Sequence, residues 1–237
     1  MEILKGKVAY ITGGSKGIGY GIAEKLLQAG MKVAISGRNR NAVLDAAEAL
    51  RTHGEVLPLT SNVQQLDDEI KAIESILNTW GQLNLVVANA GVGHFAAVDE
   101  LEPEDWSAMI NTNLTGAFYT LKAAVEPLKE SRGYYITVAS LAGTNFFASG
   151  AGYNASKFGV VGFTQAAMLD LRKYDIKVST IMPGSVATYF NNNEPSDRDS
   201  WKIQPEDIGE LVLDLLKMHP RTLPSKIEVR PSRPDKK

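Results

Sequence analysis

The chain of 237 residues contains no cysteine, which excludes disulfides, thiolate zinc sites and cysteine nucleophiles. It has only three histidines, His53, His94 and His219, far apart in sequence, so no histidine-based metal site is expected. No run of about 18 apolar residues occurs, and the start MEILKGKVAYITGG lacks the long apolar core of a signal peptide. The formal net charge is −2, so no field draws the chain to nucleic acid or to an anionic membrane. With these absences, a cytoplasmic protein is expected by default. The composition, 44% hydrophobic and 22% charged, is that of a globular chain able to bury a large core.

What is present is a rhythm. Short apolar, β-rich runs at 7–12, 32–36, 55–60, 83–91, 134–140, 176–182 and 225–229 alternate with segments of helical period. The helical segments begin after Gly13–Gly14 and run to Gly30, then cover 40–53, 66–80, 103–129, 152–173 and 205–217. Such alternation predicts an α/β fold, a doubly wound parallel sheet of seven strands with helices on both faces. No linker or repeat divides residues 1–237, so a single domain is expected. Residues 185–204 are polar and aperiodic, a length of loop that suggests a substrate lid. The tail RPSRPDKK at 230–237 is charged and proline-rich and is expected to fray.

The first strand runs into TGGSKGIG, residues 12–19. Glycines 13, 17 and 19 sit where strand becomes helix, the place where a tight turn and a bare backbone let N–H groups approach a diphosphate. Ser15, Lys16 and Ile18 belong to the same cradle. A dinucleotide with a free ribose is usually held by an acid about 20 residues on. Between Glu24 and Asp45 there is none; the second strand ends in Ser36–Gly37–Arg38. Arginine beside a hydroxyl and an open glycine suits a 2′-phosphate, so NADP(H) is predicted.

A second pattern is YNASK, 153–157. On a helix Tyr153 and Lys157 share one face, one turn apart. Such a pair is either an ordinary surface contact or a phenol acidified by an ammonium, and the pentapeptide alone leaves both open.

Together these motifs resemble the short-chain dehydrogenase/reductase family over nearly the whole chain, in particular its NADP-preferring, 3-oxoacyl-reductase-like members. TGGSKGIG resembles the family's coenzyme turn, ANAG (88–91) its NNAG motif, and NTNLTGAF (111–118) the segment bearing its helix asparagine. Ser140, YNASK and PGSVAT (183–188) follow in the family's order. The resemblance implies a Rossmann-type fold with strand order 3-2-1-4-5-6-7. It also implies NADP(H)-dependent hydride transfer to or from a carbonyl or secondary alcohol; the alternative is a catalytically silent NADP-binding regulatory protein.

By the same resemblance, Tyr153 is the general acid and Lys157 lowers its pKa and bonds the nicotinamide ribose. The small residues 154–156 leave room for both ligands, Ser140 donates to the substrate oxygen, and Asn113 holds a water leading from Lys157. Asn62, Val63, Asn89, Ala90, Gly91, Pro183, Gly184, Val186 and Thr188 complete the coenzyme site. Val92, His94, Phe95, Ala142, Phe147, Tyr189 and Phe190 are candidates for an apolar substrate pocket. The chain departs from the family at Asn62, Asn84 and Ala139, where Asp, Asp and Ser are common, and in its C-terminal residues. The last departure puts the family's usual tetramer in doubt and leaves a homodimer through 103–129 and 152–173.

Overall fold

A computed structural model describes residues 4–233. Its strands are β1 (Val8–Thr12), β2 (Lys32–Gly37), β3 (Val56–Thr60), β4 (Leu85–Ala88), β5 (Tyr134–Val138), β6 (Lys177–Pro183) and β7 (Lys226–Val229). They form one parallel sheet in the order β3-β2-β1-β4-β5-β6-β7. The apolar runs are continuous because the inner strands are covered twice. Along β1, Ala9 and Ile11 face one core with Ile22, Leu26, Val43 and Val212, while Val8 and Tyr10 face the other with Ile76, Leu121 and Val178.

The first core is roofed by α1 (Gly17–Gln28), α2 (Arg40–Leu50) and α7 (Pro205–Lys217). The second is roofed by α3 (Leu66–Trp80), α5 (Gly116–Ser131) and α6 (Ala151–Leu171). Pro58 lies in β3, an edge strand, where a missing N–H is tolerated. Helices α1 and α7 touch backbone to backbone. A Cβ on Gly21 would stand 2.6 Å from the Pro205 carbonyl carbon, and one on Gly209 2.7 Å from the Gly21 oxygen.

Three expectations need correction. The helix expected over 103–129 is broken into α4 (Pro103–Met109), a π-helical turn (Ile110–Thr115) and α5. The extra residue in the wide turn re-aims Asn113, and helical period alone does not register it. The fifth strand stops at Val138 rather than reaching Ser140, which caps the short turn Leu141–Gly143 by accepting from the Ala142 N–H at 3.1 Å. Of the tail expected to fray, residues 230–233 are placed. Arg230 pairs with Glu228 at 2.9 Å, and a Cβ on Gly184 would lie 3.3 Å from the Pro231 ring; residues 234–237 lie outside the described residues.

The loop 185–204 folds on itself. Ala187 N–H bonds the Ile203 oxygen at 2.9 Å and Ile203 N–H the Ser185 oxygen at 3.1 Å, while Ser196 and Asp199 cap the turn Asp197–Asp199 reciprocally. Its two ends are therefore stitched together beside the C-terminal ends of β1, β4, β5 and β6. In an open parallel sheet, ligands bind at that edge where strand order reverses, here between β1 and β4.

Candidate active site

A cavity of about 1080 Å³ opens at that edge. Its floor is the glycine turn. Gly13 (φ 65°) and Gly17 (φ 59°) hold left-handed conformations, and a Cβ on Gly13 would stand 2.9 Å from the Ala90 Cα. Asn89 ties this turn down: its Nδ2 donates to the oxygens of Thr12 (2.9 Å) and Gly13 (3.1 Å). Thr12 Oγ1 in turn accepts from the N–H groups of Asn89 and Ala90. Helix α1 starts at Gly17 with no side chain capping it, so its first N–H groups and its dipole remain for an anion. Gly19 lies behind the turn rather than on the cavity wall. A Cβ there would meet the Gly13 oxygen at 2.5 Å, so its role is close packing.

The other expected coenzyme residues line this cavity: Ser15, Lys16, Ile18, Ser36, Arg38, Asn62, Val63, Asn89, Ala90, Gly91, Pro183, Gly184, Val186 and Thr188, with Tyr153 and Lys157 at the far end. The wall also holds Asn39, Ser61, Thr112, Asn193 and Lys202, which sequence reasoning missed. Asn39 carried the one available signal, a helix cap, and its Oδ1 does accept from the Ala42 N–H at 3.1 Å. No carboxylate lines the cavity, whereas Lys16, Arg38, Lys157 and Lys202 do. Arg38 is exposed and makes no ion pair among the described residues.

At the far end Tyr153 stands in the first turn of α6, with Lys157 one turn on and the Lys157 Nζ 5.8 Å from the phenol centroid. Lys157 is buried and donates to the Val138 oxygen at 3.0 Å. Burial drives its ammonium down to about 8 and the Tyr153 phenol up to about 12, the latter opposed by a hydrogen bond with Ser140. The expected lowering of the phenol by the ammonium is therefore not what this environment does; desolvation of both groups dominates.

The neighbouring side chains bear on two further expectations. The side chain of Asn113 is committed to protein groups. Its Oδ1 accepts from Val92 N–H at 2.8 Å, and its Nδ2 donates to the Val92 oxygen and to Ser156 Oγ, both at 2.9 Å. It lines neither cavity and braces the wall beside Lys157, since a Cβ on Gly91 would lie 3.3 Å from Asn113 Oδ1 and 3.6 Å from Lys157 Nζ. Residues 154–156 do not leave space for ligands. Asn154 Nδ2 donates to the oxygens of Ala142 (2.7 Å) and Asn145 (2.8 Å), and Ser156 Oγ donates to the Tyr153 oxygen at 2.8 Å. Both side chains are spent on pinning the neighbouring loop and helix.

A second cavity, about 720 Å³, is lined by Leu141, Ala142, Asn145, Phe146, Phe147, Trp201, Arg230 and Pro231. Both cavities share Ser140, Tyr153, Pro183, Gly184 and Ser185. Of the expected substrate residues, Ala142 and Phe147 line the second cavity, and Val92, Tyr189 and Phe190 the first. Phe95 lines neither but packs its ring 5.3 Å from Tyr153 and 5.9 Å from Phe147. His94 also lines neither and faces Asp105 at 3.2 Å. Trp201, Arg230 and Pro231 were missed because they come from a loop and a tail with no period to read.

A family model described as short chain dehydrogenase matches residues 7–199. The chain belongs to the short-chain dehydrogenase family. Among curated proteins, this dehydrogenase is 33% identical over 233 residues to an uncharacterized oxidoreductase of Staphylococcus aureus (strain MRSA252), covering 98% of this chain and 100% of the relative. It is 31% identical over 234 residues to an uncharacterized oxidoreductase of Staphylococcus saprophyticus, at the same coverage.

Among solved structures, the dehydrogenase matches an alcohol dehydrogenase from the archaeon Thermococcus sibiricus complexed with 5-hydroxy-NADP. The TM-score is 0.91 with 29% identity, covering 98% of this chain and 100% of that one. It also matches a 3-ketoacyl-(acyl-carrier-protein) reductase from Brucella melitensis complexed with NADH, at TM-score 0.87, 26% identity and coverage of 97% and 99%. The neighbours thus carry both nicotinamide coenzymes. As a short-chain dehydrogenase the protein has the expected Rossmann-type sheet and strand order. Among the described residues, no helix is long and apolar enough to cross a membrane.

Proposed function

We propose that this short-chain dehydrogenase is a cytoplasmic NADP(H)-dependent oxidoreductase acting on a carbonyl or secondary alcohol with an apolar or aromatic body. The observation that carries the reading is the meeting of two cavities at one pair of hydroxyls, Ser140 and Tyr153. One cavity has an uncapped helix N-terminus, a bare glycine floor and cationic walls, the chemistry a dinucleotide diphosphate needs. The other has Phe146, Phe147 and Trp201 in its wall and Arg230 as its charged member, itself paired with Glu228.

The nicotinamide, when bound, supplies or accepts the hydride. The chain's own residues manage the oxygen. Ser140 Oγ accepts from Ala142 N–H and hydrogen-bonds the Tyr153 phenol, so the two hydroxyls stand together where a carbonyl oxygen would be received. Tyr153 remains a protonated phenol well above neutral pH, the form a general acid needs for reduction. The buried Lys157 charge offsets the negative charge that develops on the phenol as its proton leaves. Asn113 keeps the Val92 backbone and the Lys157 helix together through Ser156.

NADPH oxidation followed against ketones, quinones and β-ketoesters tests the activity; binding without any turnover would instead support a silent NADP-binding protein. Arg38 sets the coenzyme choice. Arg38→Ala is expected to weaken NADP binding about 10- to 100-fold, the loss of one charge-assisted hydrogen bond, and to leave NAD within about twofold. Equal Kd values for the two nucleotides in the parent protein would overturn the NADP preference.

The faces of α5 and α6 expose Phe118, Phe158 and Leu169, and Phe118 stacks edge-on to Phe163 at 6.1 Å. This patch supports a homodimer through these helices. Sedimentation equilibrium should give twice the chain mass at micromolar concentration, and Phe118→Glu should return it to the monomer; a parent protein that sediments as a monomer would refute the dimer.

A further inference from the structure

The wall of the second cavity carries one charged side chain, Arg230, and no carboxylate. An uncharged carbonyl compound has no use for a cation there. The larger cavity likewise has cations and no acid in its wall, so the two together make a basin of one sign.

The fold places Arg230 on the face turned to this basin. Pro183 of β6 stands opposite Val229 of β7, and the Gly184 N–H donates to the Val229 oxygen at 2.8 Å. Arg230 therefore follows β7 at the C-terminal edge of the sheet, beside the Gly184 that both cavities share. Residues two apart on an extended strand share a face. Glu228 and Arg230 do so, since Arg230 Nη2 donates to Glu228 Oε2 at 2.9 Å. The other Glu228 oxygen, Oε1, lies 3.5 Å from Thr144 Oγ1. Thr144 stands in the loop that gives Leu141, Ala142, Asn145 and Phe146 to the cavity wall. Glu228 itself is outside that wall and occupies one arm of the guanidinium, leaving further N–H groups of the fork for a second carboxylate. Both members of the pair are exposed, at 56% and 42% of their side-chain surface, so they hold each other weakly.

Resting on the active site proposed above, we propose that the substrate is a keto acid, or in the reverse direction a hydroxy acid, whose carboxylate is bound by Arg230 while its carbonyl is received by Ser140 and Tyr153. The carboxylate stays an anion throughout; one hydride and one proton reach the carbonyl as before, and the product is the hydroxy acid. Position sets the spacing between the two groups. Ser140 follows β5 and Arg230 follows β7, with β6 between them, so their backbones stand about 10 Å apart, two strand spacings. A γ-keto acid, or one with a ring between carbonyl and carboxylate, spans this with the reach of an arginine side chain. Phe146, Phe147 and Trp201 supply the apolar wall for the segment between.

The test is isothermal titration of two keto acids, p-acetylbenzoate and levulinate, and of their methyl esters into the full chain saturated with oxidised NADP, where no hydride is available for turnover. Expected is tighter binding of the acid than of its ester by about tenfold in at least one pair, the gain from charge-assisted hydrogen bonds at a partly exposed site. Arg230→Gln should bring this ratio to about one, and Arg230→Glu should invert it in favour of the ester. A merely structural arginine would shift acid and ester together. NADP binding by each variant shows that it is folded. An acid no tighter than its ester in both pairs, an acid preference that survives in Arg230→Gln, or binding of none of the four compounds by the NADP-loaded chain overturns the proposal alone. NADPH oxidation with the same compounds separates the two readings. Acid binding through Arg230 with no turnover of any of the four overturns the reductase reading, and with it the keto acid as substrate, while the anion site stands. Failure of the parent to bind NADP overturns the coenzyme site and the proposal with it.

Discussion

Tyr153→Phe is expected to lower kcat for carbonyl reduction by about a thousandfold or more while leaving the Kd for NADPH within a few-fold. General acid catalysis contributes about 10²- to 10⁴-fold, and the role proposed for this hydroxyl beside Ser140 puts the expectation in the upper half of that range. The phenyl ring keeps its packing against Phe95 and Phe190, so the fold should not change. Measured as single-turnover NADPH oxidation in a coenzyme-saturated variant, an undiminished rate would remove Tyr153 from the chemistry. The pH profile carries a second reading. A phenol near 12 is protonated throughout the working range, so reduction should show no loss from Tyr153 between pH 6 and 10 in the protein as it stands. A limb near neutral pH in the coenzyme complex would mean that the bound coenzyme lowers the phenol.

Lys157→Met is expected to abolish turnover and yet to raise the melting temperature by a few degrees. The lysine is buried, and its ammonium is pulled down from 10.5 to about 8 by desolvation alone. Holding that charge inside the fold at neutral pH is worth about 3 kcal/mol against stability. Methionine fills a similar volume without charge. It leaves the Val138 oxygen without its donor, which returns about 1–2 kcal/mol. The net gain of about 1–2 kcal/mol corresponds to a rise of about 2–8 °C for a chain of this size.

The sign can be checked by pH. Between about 8 and 10.5 the unfolded chain binds the proton and the folded one does not, so the parent protein gains stability as pH rises through that window. The variant should show no such gain from this site. A variant less stable than the parent at pH 7 would mean that the lysine is held favourably, not under strain.

Both effects come from burial, and burial explains what the sequence could and could not announce. The strands were legible because parallel strands covered on both faces must be apolar throughout, as VAYIT and YYITV are. The glycine turn was legible because a tight backbone turn leaves glycines at fixed spacing. The direction of the Tyr153 and Lys157 shifts was not, because spacing gives the distance between two groups but not how much water remains around them. The π-helical turn under Asn113 was hidden because it preserves helical composition, and the buried hydrogen-bonded cluster of Tyr10, Ser36, Ser61 and Glu69 because its members lie on four separate segments that only the folded sheet brings together.

Helices α1 and α7 are fastened through Gly21, Gly209 and Pro205, with the ion pair Lys25–Glu210 at 2.8 Å beside them. One of these helices opens from the glycine floor of the larger cavity; the other begins where the loop 185–204 ends. The two are thus anchored to one another at the back, with the Pro205 ring and the Lys25 stem pressed against the two glycines. If the entrance opens, the expected place is within residues 185–204 themselves, like a flap sewn to a fixed frame, rather than the frame swinging apart.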